Sequence, residues 1–485
     1  MAKAIMIQGA GSNVGKSILV AGICRALLNR GHTVVPFKPQ NMSNNAAVTM
    51  DGGEIGRAQA LQAMACKRDP TVHMNPILLK PETDIGAQVV VQGKRKTTVK
   101  AREYSSLKSE LLPKVLESFF TIANSVDFVV IEGAGSPAEI NLREGDIANM
   151  GFADAANIPV VLIGDIDRGG VIAQLAGTHV ILSEEDRTRI KGFVINKFRG
   201  DVSLFDQGII AIEEQTSWQN LGVLPWFKNA WRLPAEDVMD IVNRPGGKIK
   251  IVVPRLARIS NFDDLAPLVA EPNVTVEIIE EGRPLPGDAE LIILPGSKST
   301  ISDLENFREN GWHIDLHAHH RRGGQILGIC GGFQMLGKQI HDPDGIEGEP
   351  KSIEGLGYLD VETKMGPKKN LALTEAYTVK SNIPVNGYEI HMGETSGPDC
   401  EPGWLRLAHR NEGAVNDTKN VHGCYLHGLF NSNAFRKEFL ENLGARSELD
   451  CYQADIEKTL DELAAFIEKN IKIDKLISLC GPVVQ

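Results

Sequence analysis

Short apolar runs alternate with amphipathic stretches along the first 226 residues of the chain. The runs are rich in β-branched side chains, and the stretches between them have the spacing of helices with one buried face. Such a pattern predicts a mostly parallel sheet that is covered by helices on both faces. The predicted strands are Ala4 to Gln8, Thr33 to Phe37, Phe128 to Glu132, Pro159 to Ile163, Gly192 to Asn196 and Gly222 to Pro225.

A second series of apolar runs follows a stretch, from Trp226 to about Lys248, that is rich in asparagine, proline, glycine and charge. This composition is typical of a connection between domains. The later runs predict a second α/β domain. They are Ile249 to Val253, Thr275 to Ile279, Leu291 to Leu294 and Gln325 to Ile329.

Near the end of the chain, apolar residues at helical spacing are Leu460, Leu463, Ala464, Phe466 and Ile467. They predict a packed C-terminal helix whose charges form a solvated face. The complete pattern predicts an α/β protein with a parallel-sheet domain at 1–235, a second α/β domain at 249–450 and a helical extension at 451–485.

Composition narrows the possible partners. The 485 residues carry a formal net charge of −11, which argues against nucleic-acid binding but allows phosphate ligands, because phosphate sites are built locally from backbone amides and one or two lysines. Seven scattered cysteines without a C-x-x-C pair indicate a reducing, cytoplasmic location. No stretch approaches the roughly 18 consecutive apolar residues of a membrane span, and the amino terminus reads as a first strand, so no membrane partner is predicted.

The segment from Gly9 to Ser17, Gly-Ala-Gly-Ser-Asn-Val-Gly-Lys-Ser, lies between the first predicted strand and a helical pattern. This is the context of a phosphate-binding loop. Gly9, Gly11 and Gly15 let backbone amides approach phosphate, Lys16 neutralises its charge, and the Ser17 hydroxyl can ligate Mg²⁺. The first glycine lies one residue earlier than in the usual spacing, so the loop is a variant.

Polar residues at other strand ends extend this site. Glu132 ends an apolar run and is predicted to hold Mg²⁺ directly or through water. Asn196 ends another run and is a candidate for hydrogen bonding to an adenine edge. Asp51 and Glu54 are candidates for Mg²⁺ or substrate contacts, with helix capping as the alternative for either.

Cys330 lies in Gly-Ile-Cys-Gly-Gly-Phe-Gln-Met-Leu-Gly, between an apolar run and a helical pattern. A strand that turns sharply into a helix needs glycine beside the turn and exposes the residue at its tip. The positive end of the helix dipole favours the thiolate. The pattern therefore predicts a nucleophile, with a buried structural cysteine as the alternative.

Several long motifs together resemble the cobyric acid synthase family. They are Phe37 to Asn45, Asp51 to Ala63, Met74 to Pro81, Glu132 to Leu142, Leu294 to Leu304, Gly387 to Gly393 and Gly423 to Phe430. The N-terminal part also resembles the P-loop fold of dethiobiotin synthetase, and the C-terminal part resembles a class I glutamine amidotransferase.

The resemblance implies an activity and its substrates. It implies amidation of the b, d, e and g carboxylates of adenosylcobyrinic acid a,c-diamide, with ATP, Mg²⁺ and ammonia from L-glutamine, to give adenosylcobyric acid. The expected partners are these small molecules, and the oligomeric state is left open. A rival of the same class is cobyrinic acid a,c-diamide synthase, and a rival of another class is a P-loop switch ATPase with an inert amidotransferase-like domain.

In the ATP-dependent half, Lys16 and Ser17 are expected to orient the γ-phosphate for transfer to a carboxylate. Lys38 resembles a lysine of the dethiobiotin synthetase group that faces this phosphate, with an exposed lysine as the alternative. The amide and hydroxyl side chains between residues 40 and 45 are candidates for substrate binding, with a turn as the alternative. They are Gln40, Asn41, Ser43 and Asn44.

In the glutamine-dependent half, Cys330 is expected to attack the side-chain amide of glutamine. His427 is the predicted general base and acid, with His391 as the second choice. The backbone amides of Gly296 and Gly331 are predicted to form the oxyanion hole.

The family pattern is incomplete at one position of this half. Many class I amidotransferases place a glutamate two residues after the histidine, where this chain has Leu429. Either another group orients His427, for which Glu389 is a candidate, or the enzyme uses a Cys-His pair.

Overall fold

A computed structural model describes residues 1–82, 86–236 and 246–484. The chain divides into two units. Unit 1 comprises Met1–Ser43, Thr49–Leu233 and Ile456–Gln485, and unit 2 comprises Asn44–Val48 and Pro234–Asp455. Residues 237–245 of the predicted connection lie outside the described residues.

The strands are numbered in chain order. They are β1 Lys3–Gly9, β2 Val34–Phe37, β3 Gln40–Met42, β4 Ala46–Val48, β5 Glu54–Gly56, β6 Ile77–Pro81, β7 Gly86–Val91, β8 Lys94–Lys100, β9 Phe128–Glu132, β10 Val160–Asp165, β11 Ile190–Phe198, β12 Gln219–Pro225, β13 Ile249–Pro254, β14 Val274–Ile279, β15 Leu291–Leu294, β16 Gln325–Ile329, β17 Gln339–Asp342, β18 Lys351–Glu354, β19 Glu362–Thr378, β20 Pro384–Ser396, β21 Leu405–Arg406, β22 Asn411–Glu412, β23 Ala414–Val415, β24 Val421–Cys424, β25 Leu426–His427 and β26 Gly481–Pro482.

The α-helices are numbered in the same way. They are α1 Lys16–Asn29, α2 Arg57–Ala65, α3 Ala101–Ala123, α4 Met150–Ala155, α5 Val171–Ile181, α6 Glu184–Arg189, α7 Asp206–Thr216, α8 Ala266–Ala270, α9 Thr300–Glu309, α10 Trp312–Arg321, α11 Gly331–Leu336, α12 Asn433–Asn442, α13 Tyr452–Asn470 and α14 Ile473–Leu479.

Unit 1 is built on a parallel sheet in the order β12-β11-β10-β1-β9-β2. All six strands predicted from apolar runs in this part of the chain are present, and their apolar residues are buried, as expected of a parallel sheet covered on both faces. The loop after β1 lies between the ends of β9 and β10. Ligands of open parallel sheets bind at such carboxyl ends. A separate sheet of β3, β6, β7 and β8 completes the unit.

The C-terminal helix packs in unit 1, against α1. Ile467 and Leu463 lie directly beside Gly22 of α1, where an added Cβ would meet them at 2.7 and 3.0 Å. The helix was predicted, but its charges are not simply solvated. Arg25 of α1 is fully buried and is paired with Glu457 at 2.7 Å and with Asp461 at 3.1 Å.

Unit 2 contains a second sheet in the order β14-β13-β15-β16-β24-β23, with β23 antiparallel at its edge. Its four predicted strands are present. A further, mostly antiparallel sheet is built on the long β19–β20 hairpin, with β25 paired to β20. This antiparallel sheet was not predicted. Its β20–β25 pairing places Tyr388 directly opposite His427.

Among the described residues, the structure has no helix that is long and apolar enough to cross a bilayer. The cytoplasmic location stays a prediction.

Candidate active sites

The phosphate-binding loop of unit 1 closes tightly at its first glycine. A Cβ at Gly9 would lie 2.7 Å from the carbonyl oxygen of Gly11 and 2.8 Å from the Val14 side chain, so a larger residue would spread the loop. Gly15 has φ 90° and precedes α1, which begins at Lys16. The N–H groups of a first helical turn have no acceptor within their helix, so the start of α1 next to the loop is suited to an anion.

Glu132 accepts hydrogen bonds from two of the predicted residues, Ser17 and Lys38. Its Oε1 accepts a hydrogen bond from the Ser17 hydroxyl at 2.8 Å and from the Lys38 ammonium at 2.7 Å. Lys16 donates to the carbonyl oxygen of Gly135 at 3.3 Å. Lys38 is therefore a buried member of the site, and the alternative of an exposed lysine is wrong.

The Glu132 carboxylate is held in its charged form. Burial by itself raises its pKa, but Lys38, Gln62 and Lys16 outweigh that effect and hold the pKa below its usual range. Two glutamines of α2 also reach it: Gln62 donates to Oε2 at 2.5 Å and Gln59 at 3.5 Å. Neither glutamine was among the predicted site residues.

The site residues fit Mg²⁺. A hydroxyl oxygen and a carboxylate oxygen lie 2.8 Å apart beside the phosphate loop, and hard cations such as Mg²⁺ take oxygen ligands. Asp51 does not join them. Its carboxylate accepts from the backbone N–H of Val72, and no hydrogen bond or ion pair links it with Ser17 or Glu132 among the described residues. Glu54 is paired instead with the buried Lys80 at 2.9 Å.

Asn196 touches the phosphate loop itself. Its side-chain nitrogen donates to the carbonyl oxygen of Val14 at 2.8 Å, and the neighbouring Lys197 donates to the carbonyl oxygen of Asn13 at 2.6 Å. Both contacts hold the loop from the end of β11. The contact with adenine stays a prediction.

The predicted substrate residues are divided between the units. Gln40 accepts from the Tyr104 hydroxyl at 2.6 Å, and Asn41 donates to Gln59 at 2.9 Å. Ser43 also belongs to unit 1, whereas Asn44 belongs to unit 2. Asn41 therefore reaches Glu132 through Gln59, and the substrate role of the four residues stays a prediction.

In unit 2, Cys330 occupies the tight turn that the glycines predicted. It follows β16 directly, precedes α11, and has φ 54° and ψ −110°, a strained conformation for a residue with a side chain. A Cβ at Gly332 would collide with the carbonyl group of Leu294. The Cys330 side chain is buried at this turn rather than exposed, and its thiol lies 3.7 Å from the carbonyl oxygen of Ile390.

Cys330 lies close enough to His427 to raise the pKa of its imidazole. Nδ1 of His427 lies 2.7 Å from Oδ2 of Asp264, and the other oxygen of Asp264 accepts from the backbone N–H of Gly428 at 2.5 Å. Burial alone lowers the pKa of His427, but the Asp264 carboxylate and the Cys330 sulfur raise it to about 10. The imidazole is therefore held protonated near neutral pH.

Asp264 completes the triad that Leu429 left open, and the prediction of Glu389 for this place was wrong. Glu389 is paired with Arg410 and lies 3.8 Å from Nε2 of His391. Burial alone would raise its pKa, but His391 and Arg410 lower it to about 2. Glu389 therefore belongs to a separate cluster of charged side chains with Arg410 and His391.

The predicted oxyanion residues Gly296 and Gly331 lie close to the residues around Cys330 and His427. A Cβ at Gly296 would lie 3.2 Å from Cε1 of His427, and a Cβ at Gly331 would lie 2.8 Å from the backbone nitrogen of Ser297. Gly331 is the first residue of α11, so its N–H has no acceptor within the helix. Gly296 thus packs against His427 and Gly331 follows Cys330 directly, and their oxyanion role stays a prediction.

Comparisons with known proteins match both units. The chain matches the family described as a CobQ/CobB/MinD/ParA nucleotide binding domain over residues 5–241. It matches the family described as a CobB/CobQ-like glutamine amidotransferase domain over residues 250–435.

Curated relatives match the chain over its length. It is 60% identical over 478 residues to a cobyric acid synthase of Ruegeria sp. (strain TM1040), with 99% of each chain covered. It is 57% identical over 480 residues to one of Rhodobacter capsulatus, covering 98% of this chain and 99% of the relative. A Brucella anthropi cobyric acid synthase is 56% identical over 482 residues, covering 99% of this chain and all of the relative.

The fold and the two sites thus define a nucleotide-binding domain joined in one chain to a glutamine amidotransferase domain. This confirms the predicted fold class. The chain belongs to the cobyric acid synthase family, as the motifs indicated.

Proposed function

We propose that this chain is a glutamine-hydrolysing, ATP-dependent amidoligase that converts adenosylcobyrinic acid a,c-diamide to adenosylcobyric acid. The observation that carries the proposal is its identity of 56% to 60% with cobyric acid synthases over almost the whole of both chains. The two preorganised clusters, one around Glu132 and one around Cys330, support the two half-reactions.

The residues of unit 1 activate the acceptor carboxylate. A carboxylate resists ammonia because it is anionic and has no good leaving group, so it must first be phosphorylated. Lys16 and Lys38 balance the negative charge that accumulates as the γ-phosphate is transferred, while the loop amides hold the other phosphates in line. The product is an acyl phosphate, whose phosphate ammonia then displaces.

Mg²⁺ would be held by the Ser17 hydroxyl and the Glu132 carboxylate, and it would neutralise negative charge on the phosphates of ATP. The Ser17 hydroxyl donates its proton to Glu132, so its oxygen keeps a lone pair for the cation. Glu132 remains ionised because its pKa is lowered. These properties support the predicted roles of both residues.

The residues of unit 2 release ammonia from glutamine. The Cys330 sulfur attacks the side-chain amide carbon, the amides of Gly296 and Gly331 stabilise the oxyanion, and His427 gives its proton to the departing ammonia. The resulting thioester is then hydrolysed by water, from which His427 accepts a proton. Asp264 orients the imidazole throughout.

Mass spectrometry of the corrinoid product tests the proposal. The purified chain is incubated with adenosylcobyrinic acid a,c-diamide, ATP, Mg²⁺ and glutamine, and a parallel reaction contains adenosylcobyrinic acid, which carries no amides. Four added amides are expected on the diamide. Amidation of the unamidated acid at two positions, with no change in the diamide, would favour the a,c-diamide synthase instead. ATP hydrolysis with no amide on either acid would favour the switch ATPase.

A further inference from the structure

We propose that Gln62, assisted by Gln59, is a positioning residue for phosphoryl transfer. It holds Oε2 of Glu132, so that Oε1 alone is presented to Ser17, Lys38 and the incoming cation. The inference rests on the proposed function, because it takes Glu132 as the carboxylate that serves Mg²⁺.

The contacts around Glu132 divide cleanly between its two oxygens. Oε1 takes the Ser17 hydroxyl and the Lys38 ammonium. Oε2 takes the side-chain nitrogens of Gln62, at 2.5 Å, and Gln59, at 3.5 Å. The reactive side of the carboxylate is thus occupied by groups of the phosphate site, and the other side by uncharged amides.

The two glutamines are three positions apart on α2, which puts them on one face of the helix. Both side chains are fully buried. Gln62 also donates to the carbonyl oxygen of Ser17 at 3.3 Å. It therefore ties Glu132 to the start of α1, where the phosphate loop ends.

The orientation of the Gln62 amide follows from its partners. Both the Glu132 carboxylate and the Ser17 carbonyl are acceptors, so the nitrogen must face them. The amide oxygen is then left buried without a hydrogen-bond partner among the described residues. An unpaired buried acceptor costs stability, so core packing alone does not account for a glutamine here, where a leucine or methionine would pack without this cost.

A carboxylate with both oxygens free can rotate or bind a cation through two oxygens. With Oε2 engaged by Gln62, Glu132 meets the cation through one oxygen in one orientation. Residues that orient a metal ligand in this way affect metal affinity strongly although they never touch the metal. Loss of the Gln62 amide should therefore weaken Mg²⁺-dependent nucleotide binding and leave glutamine hydrolysis intact.

The test replaces Gln62 by methionine in the full-length chain, which removes the amide donor but keeps the length of the side chain. The matched control is Gln88→Met, because Gln88 is equally buried in unit 1 and its side chain donates to Glu82. Binding of a non-hydrolysable ATP analogue is measured by titration calorimetry over a series of Mg²⁺ concentrations. Gln62→Met should weaken apparent Mg²⁺ affinity by about 10-fold or more, and Gln88→Met should leave it unchanged.

Circular dichroism and thermal unfolding of the same preparations report whether unit 1 is folded, and glutamine hydrolysis reports whether unit 2 is. If Gln62→Met does not fold, Gln62→Asn is used, since its amide is one methylene too short to reach Oε2, and the same loss is expected. Equal Mg²⁺ affinity in the wild type and the folded Gln62 variant would overturn the inference alone. Analogue binding that does not depend on Mg²⁺ in the wild type would overturn both the inference and the metal role of Glu132 in the proposed function.

Discussion

Each unit buries a carboxylate beneath its reactive group, but the two carboxylates have opposite partners. Glu132 in unit 1 accepts hydrogen bonds from a hydroxyl, an ammonium group and two side-chain amides, and its negative charge is suited to bind a further cation. Asp264 in unit 2 faces an imidazole and a backbone N–H, and its charge keeps a proton on His427. One site is thus organised around phosphate and cation, the other around proton transfer. Because their chemistries share no residue, each should be removable without the other.

The largest expected effect comes from a substitution in unit 2 that should remove the use of glutamine alone. Cys330→Ala removes the nucleophile and should lower glutamine-dependent amidation by about 10⁴-fold or more. Amidation with free ammonia should persist, since the residues around Glu132 are untouched. The measurement is corrinoid amidation with each nitrogen source, and glutamine-dependent turnover at the wild-type rate would disprove the assignment of the nucleophile.

The reciprocal change is Lys16→Ala in the phosphate loop. Loss of this charge should lower amidation by about 100-fold or more with either nitrogen source, because the transferring phosphate is no longer neutralised. Basal glutamine hydrolysis should remain measurable. A variant that still amidates with free ammonia at the normal rate would remove Lys16 from the mechanism.

A third change tests the support of His427. In Asp264→Asn the amide oxygen can still accept from Gly428, which turns the amide nitrogen toward Nδ1 and forces the wrong imidazole tautomer. Glutamine hydrolysis should fall by about 100-fold, by analogy with other triads, and ammonia-dependent amidation should not change. Glu389→Gln is the matched control in the same unit, and a greater loss in Glu389→Gln than in Asp264→Asn would restore Glu389 as the partner of His427.

The difference between these carboxylates also explains what could be predicted from the sequence. Glu132 ends a strand next to the phosphate loop, so parallel-sheet geometry alone places it at the site. Cys330 and its glycines were predictable for the same reason, because a strand, a tight turn and a helix are contiguous in the chain.

No strand end or turn motif next to Asp264 in the sequence indicates its role. Asp264 lies 163 residues before His427, in a short 3-10 helix from Phe262 to Leu265 that no motif marks. Its partner is placed by the second sheet of unit 2, whose polar and exposed hairpin strands lack the apolar runs that revealed the parallel strands. Gln62 was missed because a glutamine in a helix is ordinarily a surface residue.

The pH dependence of stability gives a finer test of Asp264. His427 has an ordinary pKa of 6.5 that rises to about 10 in the folded chain. A raised histidine pKa contributes stability that is complete below the lower value and is lost as the pH rises through the higher one. Removing Asp264 should therefore cost on the order of a few kcal/mol near neutral pH and progressively less at alkaline pH.

Denaturant unfolding of the wild type and Asp264→Asn, at about pH 6 and about pH 10, measures this difference. The free energies of unfolding of the two proteins should differ less at the higher pH than at the lower one. A gap that widens with pH would mean that His427 is neutral in the folded chain, contrary to the ion pair with Asp264.

The smallest expected effect concerns a carboxylate that lies in neither cluster. Asp51 accepts from the N–H of Val72 at the start of a 3-10 helix, so Asp51→Ala should cost about 1 kcal/mol of stability, the usual value of such a cap. The Mg²⁺ dependence of nucleotide binding should be unchanged, whereas Glu132→Gln should weaken it. If Asp51→Ala weakens Mg²⁺ binding as much as Glu132→Gln does, both carboxylates bind the cation. Asp51 must then leave its hydrogen bond with Val72 to approach the site.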